Sequence, residues 1–132
     1  MIQTKGADQK RPVLQYDMLR DIREFLQWRR GDAVILAEAN VLPDDNLHYF
    51  GEDGDRMHMM FNFQVNQNLF YALASADTRT LAKALLATKR QVDTSQWGMF
   101  LRTHDELDLG RLTKKQRQRV FDAFAPDKNM QL

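Results

Sequence analysis

The sequence contains no cysteine among its 132 residues. This absence excludes disulfide bridges, thiolate zinc sites and a cysteine nucleophile. A chain without cysteine is also compatible with the reducing environment of the cytoplasm, which is the location we expect.

The sequence also lacks a long hydrophobic run. A membrane-spanning helix needs about 20 predominantly apolar residues, and no stretch of the chain approaches that length. The first six residues carry no apolar segment of the kind found in signal peptides. We therefore expect no contact with a membrane and no cleaved leader.

Neither sign of charge dominates the composition. Lys and Arg number 19 and Asp and Glu 18, which gives a net charge of +1. This balance argues against a general nucleic-acid binder, which needs a basic surplus or patch. The densest basic stretch, residues 114–119, is more typical of a solvated helix face. With 43% hydrophobic and 28% charged residues, the chain has the composition of one globular domain.

Helical and extended segments alternate along the chain. Apolar residues at helical spacing predict helices, and short continuous apolar runs predict strands that are buried on both faces. The predicted helices cover residues 17–30, 67–75 and 80–90, and a last helix begins at Thr113, where Gln116 completes a capping box. The predicted strands cover residues 33–37, 58–63 and 97–102, with an irregular lead-in at 1–14 and a long loop at 40–56.

This alternation predicts the α/β class with a parallel sheet. A parallel sheet of three strands leaves two apolar edges unpaired, and such a sheet is seldom stable alone. We therefore expect the chain to be a slice of a larger domain.

Three candidate functional residues lie at the ends of predicted strands. Glu38 follows the first strand, and His104 and Asp105 follow the third. Because parallel strands end on one side of a sheet, these side chains are expected to face the same space. An alternative is structural: Glu38 caps a turn, and His104 and Asp105 form a pair with each other.

The residue types at these strand ends suit glycoside hydrolysis, which requires two carboxyl groups. The apolar neighbours of Glu38 favour the protonated form that a general acid needs. Asp105 could stabilise positive charge that develops on the sugar, and His104 could donate a hydrogen bond to a sugar hydroxyl.

Several segments resemble a known family. Residues 34–40 (VILAEAN) resemble the segment of the alpha-amylase family, glycoside hydrolase family thirteen, that carries the general acid at the end of the fifth barrel strand. Residues 100–106 (FLRTHDE) resemble the segment after the seventh strand, which carries a His-Asp pair, and the spacing fits. Residues 49–52 (YFGE), 59–63 (MMFNF) and 96–102 (QWGMFLR) are similar to the trehalose-synthase branch of that family.

The resemblance implies a role for each candidate residue. Glu38 is expected to be the general acid/base of a retaining mechanism, and Asp105 to stabilise the oxocarbenium-like transition state. His104 is expected to contact the sugar in the catalytic subsite. Thr103 departs from the family, which usually has Asn before the His-Asp pair, so the detail of that subsite differs here.

The resemblance also implies an incomplete catalytic domain. The fold expected is a partial (β/α)8 TIM barrel, about strands 5 to 7 with their helices, and residues 1–132 form one fragment of that domain. The family's nucleophile is an Asp after the fourth strand, two residues beyond an Arg. No segment of the chain matches this nucleophile motif, and we expect that segment to precede Met1. No segment matches the family's His-bearing motif after the third strand either.

The implied function is hydrolysis, transfer or isomerisation of an alpha-glucoside such as maltose. The expected partners are this substrate and the missing barrel portion, with no nucleic acid, no cofactor and no metal. The chain alone is expected to be inactive. The alternative is a non-catalytic carbohydrate-binding or interaction module derived from such a barrel, which the missing nucleophile and the open sheet edges favour.

Other residues are better explained by structure than by chemistry. The acidic loop at residues 51–55 lacks the calcium-binding pattern of an EF-hand and is expected to be a solvated loop near the pocket mouth. His48 and His58 have no zinc-ligand spacing. Core or helix–sheet packing is expected for the aromatic residues Trp28, Trp97 and Phe100 and for the methionines Met57, Met59 and Met60.

Overall fold

The computed structural model of the chain describes residues 3–4, 13–88, 92–102 and 107–130. Its helices are α1 (Asp17–Arg29), α2 (Asn46–Phe50), α3 (Phe63–Ser75), α4 (Arg79–Ala87) and α5 (Lys114–Phe124). Its strands are β1 (Gln3–Thr4), β2 (Val13–Leu14), β3 (Leu36–Ala37), β4 (Met59–Phe61) and β5 (Gln96–Gly98). Short 3-10 turns cover Pro43–Asp45 and Lys128–Met130.

The three strands β3, β4 and β5 form a parallel sheet with β4 in the middle. Leu36 pairs with Met59, and Ala37 pairs with Met60. On the other side of β4, the Gln96 N–H donates to the His58 carbonyl oxygen at 2.9 Å. The predicted α/β class with a parallel sheet is therefore confirmed, although each strand is shorter than the sequence pattern predicted.

Two segments that were predicted to be irregular contain regular structure. The lead-in holds β1 and β2, which pair antiparallel. The loop at residues 40–56 holds a 3-10 turn and α2. Pro43 starts the 3-10 turn, where the fixed φ of proline favours a helical conformation and its missing N–H costs nothing. The sequence prediction was wrong here because it treated Pro43 only as a sign of a turn.

The start of α3 also differs from the prediction. The helix begins at Phe63 rather than at residue 67, because Asn62 caps it. The Asn62 side-chain oxygen accepts a hydrogen bond from the Val65 N–H at 2.9 Å. Such a cap satisfies one of the N–H groups that a helix start leaves unpaired. The capping box at Thr113 is confirmed: the Thr113 N–H donates to Gln116 Oε1 at 2.9 Å, and α5 starts at the next residue.

The chain divides into two compact units. The first contains residues 1–60 and 90–97, and the second contains residues 61–89 and 98–132. In the first unit, Phe50, Met57 and Met60 form the buried core, as predicted for the two methionines. Met59, by contrast, is only partly buried. Trp97 packs edge-on against Phe50, with 5.2 Å between ring centroids.

Charged side chains of α1 hold the acidic loop of the first unit in place. Arg20 forms an ion pair with Asp55, and Arg23 donates to the Gly54 carbonyl oxygen. The loop leads into the amino end of β4, whereas Glu38 follows the carboxyl end of β3. The expected place of the loop near the pocket mouth stays a prediction.

The second unit has its own core. Leu109, Leu112 and Val120 are buried there, and partly buried side chains of α3 pack against them. Among these, Phe70 meets Phe124 of α5 edge-on, with 5.6 Å between ring centroids. Apolar side chains of α5 thus pack on α3.

Gly51 provides a test of the loop geometry. Its φ of 82° and ψ of 149° lie in a region that is nearly restricted to glycine, and a Cβ there would overlap the Asp55 carboxylate. We predict that Gly51→Ala lowers the free energy of unfolding by roughly 1–3 kcal/mol, as measured by urea titration followed by circular dichroism. Gly31→Ala is the matched control, since the nearest atom to its Cβ would be 4.0 Å away. Equal free energies for the two variants would contradict this account.

Candidate functional site

Glu38 comes directly after β3, at the carboxyl end of the parallel strands. Its side chain is exposed to solvent. The apolar surroundings that the sequence suggested therefore do not cover Glu38 in the described residues. Its position suits a residue that reaches a ligand at the carboxyl end of the sheet; its role as general acid stays a prediction.

His104 and Asp105 lie outside the described residues, as do Thr103 and Glu106. The strand that was predicted to run to residue 102 ends at Gly98. The described backbone continues to Arg102 and resumes at Leu107. The catalytic role of Asp105 and the sugar-binding role of His104 therefore stay predictions. The structure describes the backbone on either side of them, up to Arg102 and from Leu107.

An apolar cavity of about 380 Å³ lies next to residues 99–101 in the second unit. Side chains of α3 and α4 line it, among them Val65, Leu69 and Leu81. Its polar lining residues are Asn62 and Asn66. The cavity is mostly apolar with a few polar groups, which is the usual character of a small-molecule pocket.

The two asparagines are committed to internal hydrogen bonds. Asn62 Nδ2 donates to Thr88 Oγ1 at 3.1 Å. Asn66 Nδ2 donates to the carbonyl oxygens of Phe100 at 2.9 Å and Leu101 at 2.7 Å. Both residues are almost fully buried. Through these hydrogen bonds, Asn62 and Asn66 stabilise the structure around the cavity.

Gln67, the residue after Asn66, holds a second stretch of backbone. It is fully buried, and its Oε1 accepts a hydrogen bond from the Arg111 N–H at 2.8 Å. Its Nε2 has no partner among the described residues. Asn62, Asn66 and Gln67 were not among the functional residues predicted from the sequence. They are three of the five polar residues, with Gln64 and Asn68, in the otherwise apolar stretch from residue 59 to residue 74, and nothing in the sequence sets them apart from the other two.

The aromatic residues follow the structural expectation in two of three cases. Trp97 belongs to the core of the first unit. Phe100 forms an edge-on cluster with Phe61 and Phe63, at centroid distances of 5.0 and 5.1 Å. Trp28 is 85% exposed, so the expected packing was wrong for this residue. Its place near the end of α1 puts the ring outside the described core.

His58 has a structural environment rather than that of a metal ligand. Its Nδ1 accepts the Ile35 N–H at 3.1 Å, and its Nε2 lies 3.1 Å from Gln27 Nε2. Burial, and then the charge of Arg23, lower the pKa of His58 from its usual value. His48 stacks on Tyr16, with ring centroids 5.0 Å apart. Within the described ranges, no three His, Asp or Glu side chains come together in a way that could bind a metal ion.

Known sequences include clear relatives of the chain, although no family model matches it. The trehalose synthase of Thermus thermophilus is 38% identical over 112 residues, which cover 84% of this chain and 12% of that protein. The trehalose synthase/amylase TreS of Mycolicibacterium smegmatis is 39% identical over 100 residues, or 74% of this chain and 17% of the relative. The glucosylglycerate phosphorylase of Escherichia coli is 29% identical over 79 residues, which cover 60% of this chain and 14% of that protein.

These similarities, together with the α/β fold, define the class: the chain belongs to the alpha-amylase family of glycosidic enzymes. Within that family its relatives are trehalose synthases, at 32–39% identity over most of the chain. The family resemblance of the sequence motifs is thereby confirmed. The chain spans between 12% and 22% of the length of the trehalose synthases it matches. Of the helices described, none has the length and apolar character needed to cross a membrane.

His58 predicts how stability depends on pH. A histidine whose pKa is lowered by folding binds protons more readily in the unfolded chain, so acid destabilises the native state. This contribution is complete above the unfolded pKa of about 6.5 and is lost as the pH falls below it. We expect the free energy of unfolding to drop between about pH 7 and about pH 5.

The His58→Asn variant is expected to flatten this drop, because asparagine keeps an acceptor for the Ile35 N–H but does not titrate in this range. Urea titrations at several pH values measure the effect. His48→Asn is the control, since it removes another histidine of the first unit, whose ring stacks on Tyr16. An unchanged pH profile for His58→Asn would refute this assignment.

Proposed function

We propose that the chain is part of the catalytic barrel of a retaining alpha-glucosidic enzyme of the trehalose-synthase kind. Its substrate is an alpha-glucoside such as maltose, and the reaction is hydrolysis, glucosyl transfer or isomerisation. The observation that carries this proposal is the similarity to trehalose synthases over most of the chain. The location of Glu38 directly after a parallel strand supports it.

The proposed mechanism assigns one role to each of three residues. Glu38 protonates the leaving glycosidic oxygen and later activates the attacking hydroxyl or water. Asp105 stabilises the positive charge that develops on the sugar ring, and His104 donates a hydrogen bond to a sugar hydroxyl. The nucleophilic Asp comes from a barrel portion outside the 132 residues, because no segment of the chain matches the family's nucleophile motif.

In the proposed barrel, β3, β4 and β5 are strands five to seven, and residues 1–132 form one piece of a single catalytic domain. The strand order leaves β3 and β5 at the edges of the sheet. Exposed apolar side chains next to these edges support the proposal, with Val34 63% and Leu101 68% accessible. Neighbouring strands from the rest of the barrel would pair with both edges and cover these side chains.

The rest of the barrel would also complete the surroundings of Glu38. A general acid acts best where burial favours its protonated form. Glu38 is exposed in the chain itself. Closure of the barrel would remove this side chain from bulk water, and the degree of water exclusion would decide between hydrolysis and isomerisation.

A second candidate function is a non-catalytic carbohydrate-binding or interaction module. The observations in its favour are the unpaired edges of the sheet at β3 and β5 and the lack of a segment like the family's nucleophile motif in the 132 residues. Such a module would bind an alpha-glucoside without turnover, and its binding would not depend on any added barrel portion.

We predict that the 132-residue chain alone does not convert maltose, because a retaining mechanism requires a nucleophile. Glucose and trehalose released from maltose are measured by chromatography. Turnover by the purified chain would overturn the assignment of the nucleophile to another barrel portion. Calorimetry with maltose tests the second candidate function, which requires binding by the chain alone.

The catalytic role of Glu38 requires a complete barrel. We define the chimeric enzyme as the Thermus thermophilus trehalose synthase in which the 112 matched residues are replaced by those of this chain. Glu38→Gln in the chimeric enzyme should lower kcat by roughly 10²–10⁴-fold, as expected for loss of a general acid. Glu52→Gln is the matched control, since Glu52 is an exposed carboxylate in the loop before β4. Full activity of Glu38→Gln would contradict the assigned role.

A further inference from the structure

We propose that Asn66 and Gln67 are positioning residues that hold the two ends of the segment bearing His104 and Asp105. The inference rests on the proposed function, since it concerns the placement of the proposed transition-state stabiliser. It also goes beyond that function, because neither residue belongs to the motifs that identified the family. Both residues lie in α3, and all contacts that carry the proposal lie within the second unit.

Asn66 fixes the backbone that enters the segment. Its Nδ2 donates two hydrogen bonds, to the carbonyl oxygens of Phe100 at 2.9 Å and of Leu101 at 2.7 Å. These are consecutive carbonyl groups, so one amide group restrains the direction of the chain as well as its position. Asn66 is 3% exposed, so its amide group is shielded from competing water.

Gln67 fixes the backbone that leaves the segment. Its Oε1 accepts the Arg111 N–H at 2.8 Å, and the residue is 0% exposed. The Arg111 N–H lies shortly before α5, which begins at Lys114. Adjacent residues of one helix therefore contact the chain before and after residues 102–110, between which His104 and Asp105 lie in sequence.

If Asn66 and Gln67 served only to fill space, apolar residues would be more favourable at both positions. Burial of an amide group carries a desolvation penalty that apolar residues avoid, and asparagine is a weak helix former in a helix interior. Leucine or methionine would fill the same volume. The polar side chains are instead matched to backbone groups outside α3, which is the arrangement expected where geometry matters more than stability.

The first test reads the hydrogen bonds directly in the 132-residue chain. Asn66→Leu removes the donor to Phe100 and Leu101, so it should shift the carbonyl carbon resonances of these two residues in the NMR spectrum. Gln67→Met removes the acceptor of the Arg111 N–H, so it should speed amide exchange of Arg111 by at least about tenfold. Amide exchange at Val120 of α5 serves as the check on folding. Should one variant not fold, the other still tests its own end of the segment.

The second test is kinetic and uses the chimeric enzyme. Asn66→Leu and Gln67→Met should each lower kcat by about 10-fold to 10²-fold with a smaller change in KM, because a displacement of about 1 Å at a reacting group costs up to that much. Asn68→Leu is the matched control. Asn68 is the next residue of α3, but among the described residues its Nδ2 donates within the helix, to the Gln64 carbonyl oxygen at 2.9 Å.

A double-mutant cycle separates positioning from general destabilisation. If Asn66 acts through Asp105, Asn66→Leu should cause little further loss of kcat in an Asp105→Asn background. Additive losses, or equal losses for Asn66→Leu and Asn68→Leu, would overturn the proposal. An inactive parent chimera would count against the proposed function and, with it, this inference. An active parent with unimpaired Asn66→Leu and Gln67→Met variants would count against this inference alone.

Discussion

Backbone pairing of the middle strand β4 is the constraint on which the first unit depends. The Ile35 carbonyl oxygen accepts from the His58 and Met59 N–H groups, and the His58 carbonyl accepts from the Gln96 N–H. These bonds fix Met60 at the centre of the core, where it is fully buried. Because buried backbone groups must be paired, the register of β4 determines where both neighbouring strands end and hence where Glu38 emerges.

Much of this arrangement could be predicted from the sequence. Short apolar runs predicted the three parallel strands. The first predicted strand ends at Ala37, as β3 does, so Glu38 was correctly located directly after it. The capping box at Thr113 was equally readable, because its two hydrogen bonds connect residues three apart. These features share one property: the interactions that determine them are local in sequence or follow from the pattern of apolar residues.

The remaining features depend on contacts between distant residues. In the sequence, Asn66 is an ordinary polar residue just before the predicted helix, and only the structure shows that it donates to the carbonyl oxygens of Phe100 and Leu101. Trp28 shows the opposite error, since a large aromatic residue on an amphipathic helix predicts packing, yet the ring is exposed. The family assignment came from motifs, and for that reason it pointed to residues 100–106 but not to the α3 side chains that contact residues 100, 101 and 111.

The division into two units has a consequence for synthesis on the ribosome. Each unit is built from two separate stretches, so residues 61–89 must be made before residues 90–97 can complete the first unit. Trp97 packs against Phe50, which is synthesised much earlier. The N-terminal stretch therefore leaves the exit tunnel without the last part of its own core. During translation it exposes apolar surface while α3 and α4 are being made and until β5 has emerged, which makes this interval the one in which a chaperone would be most useful.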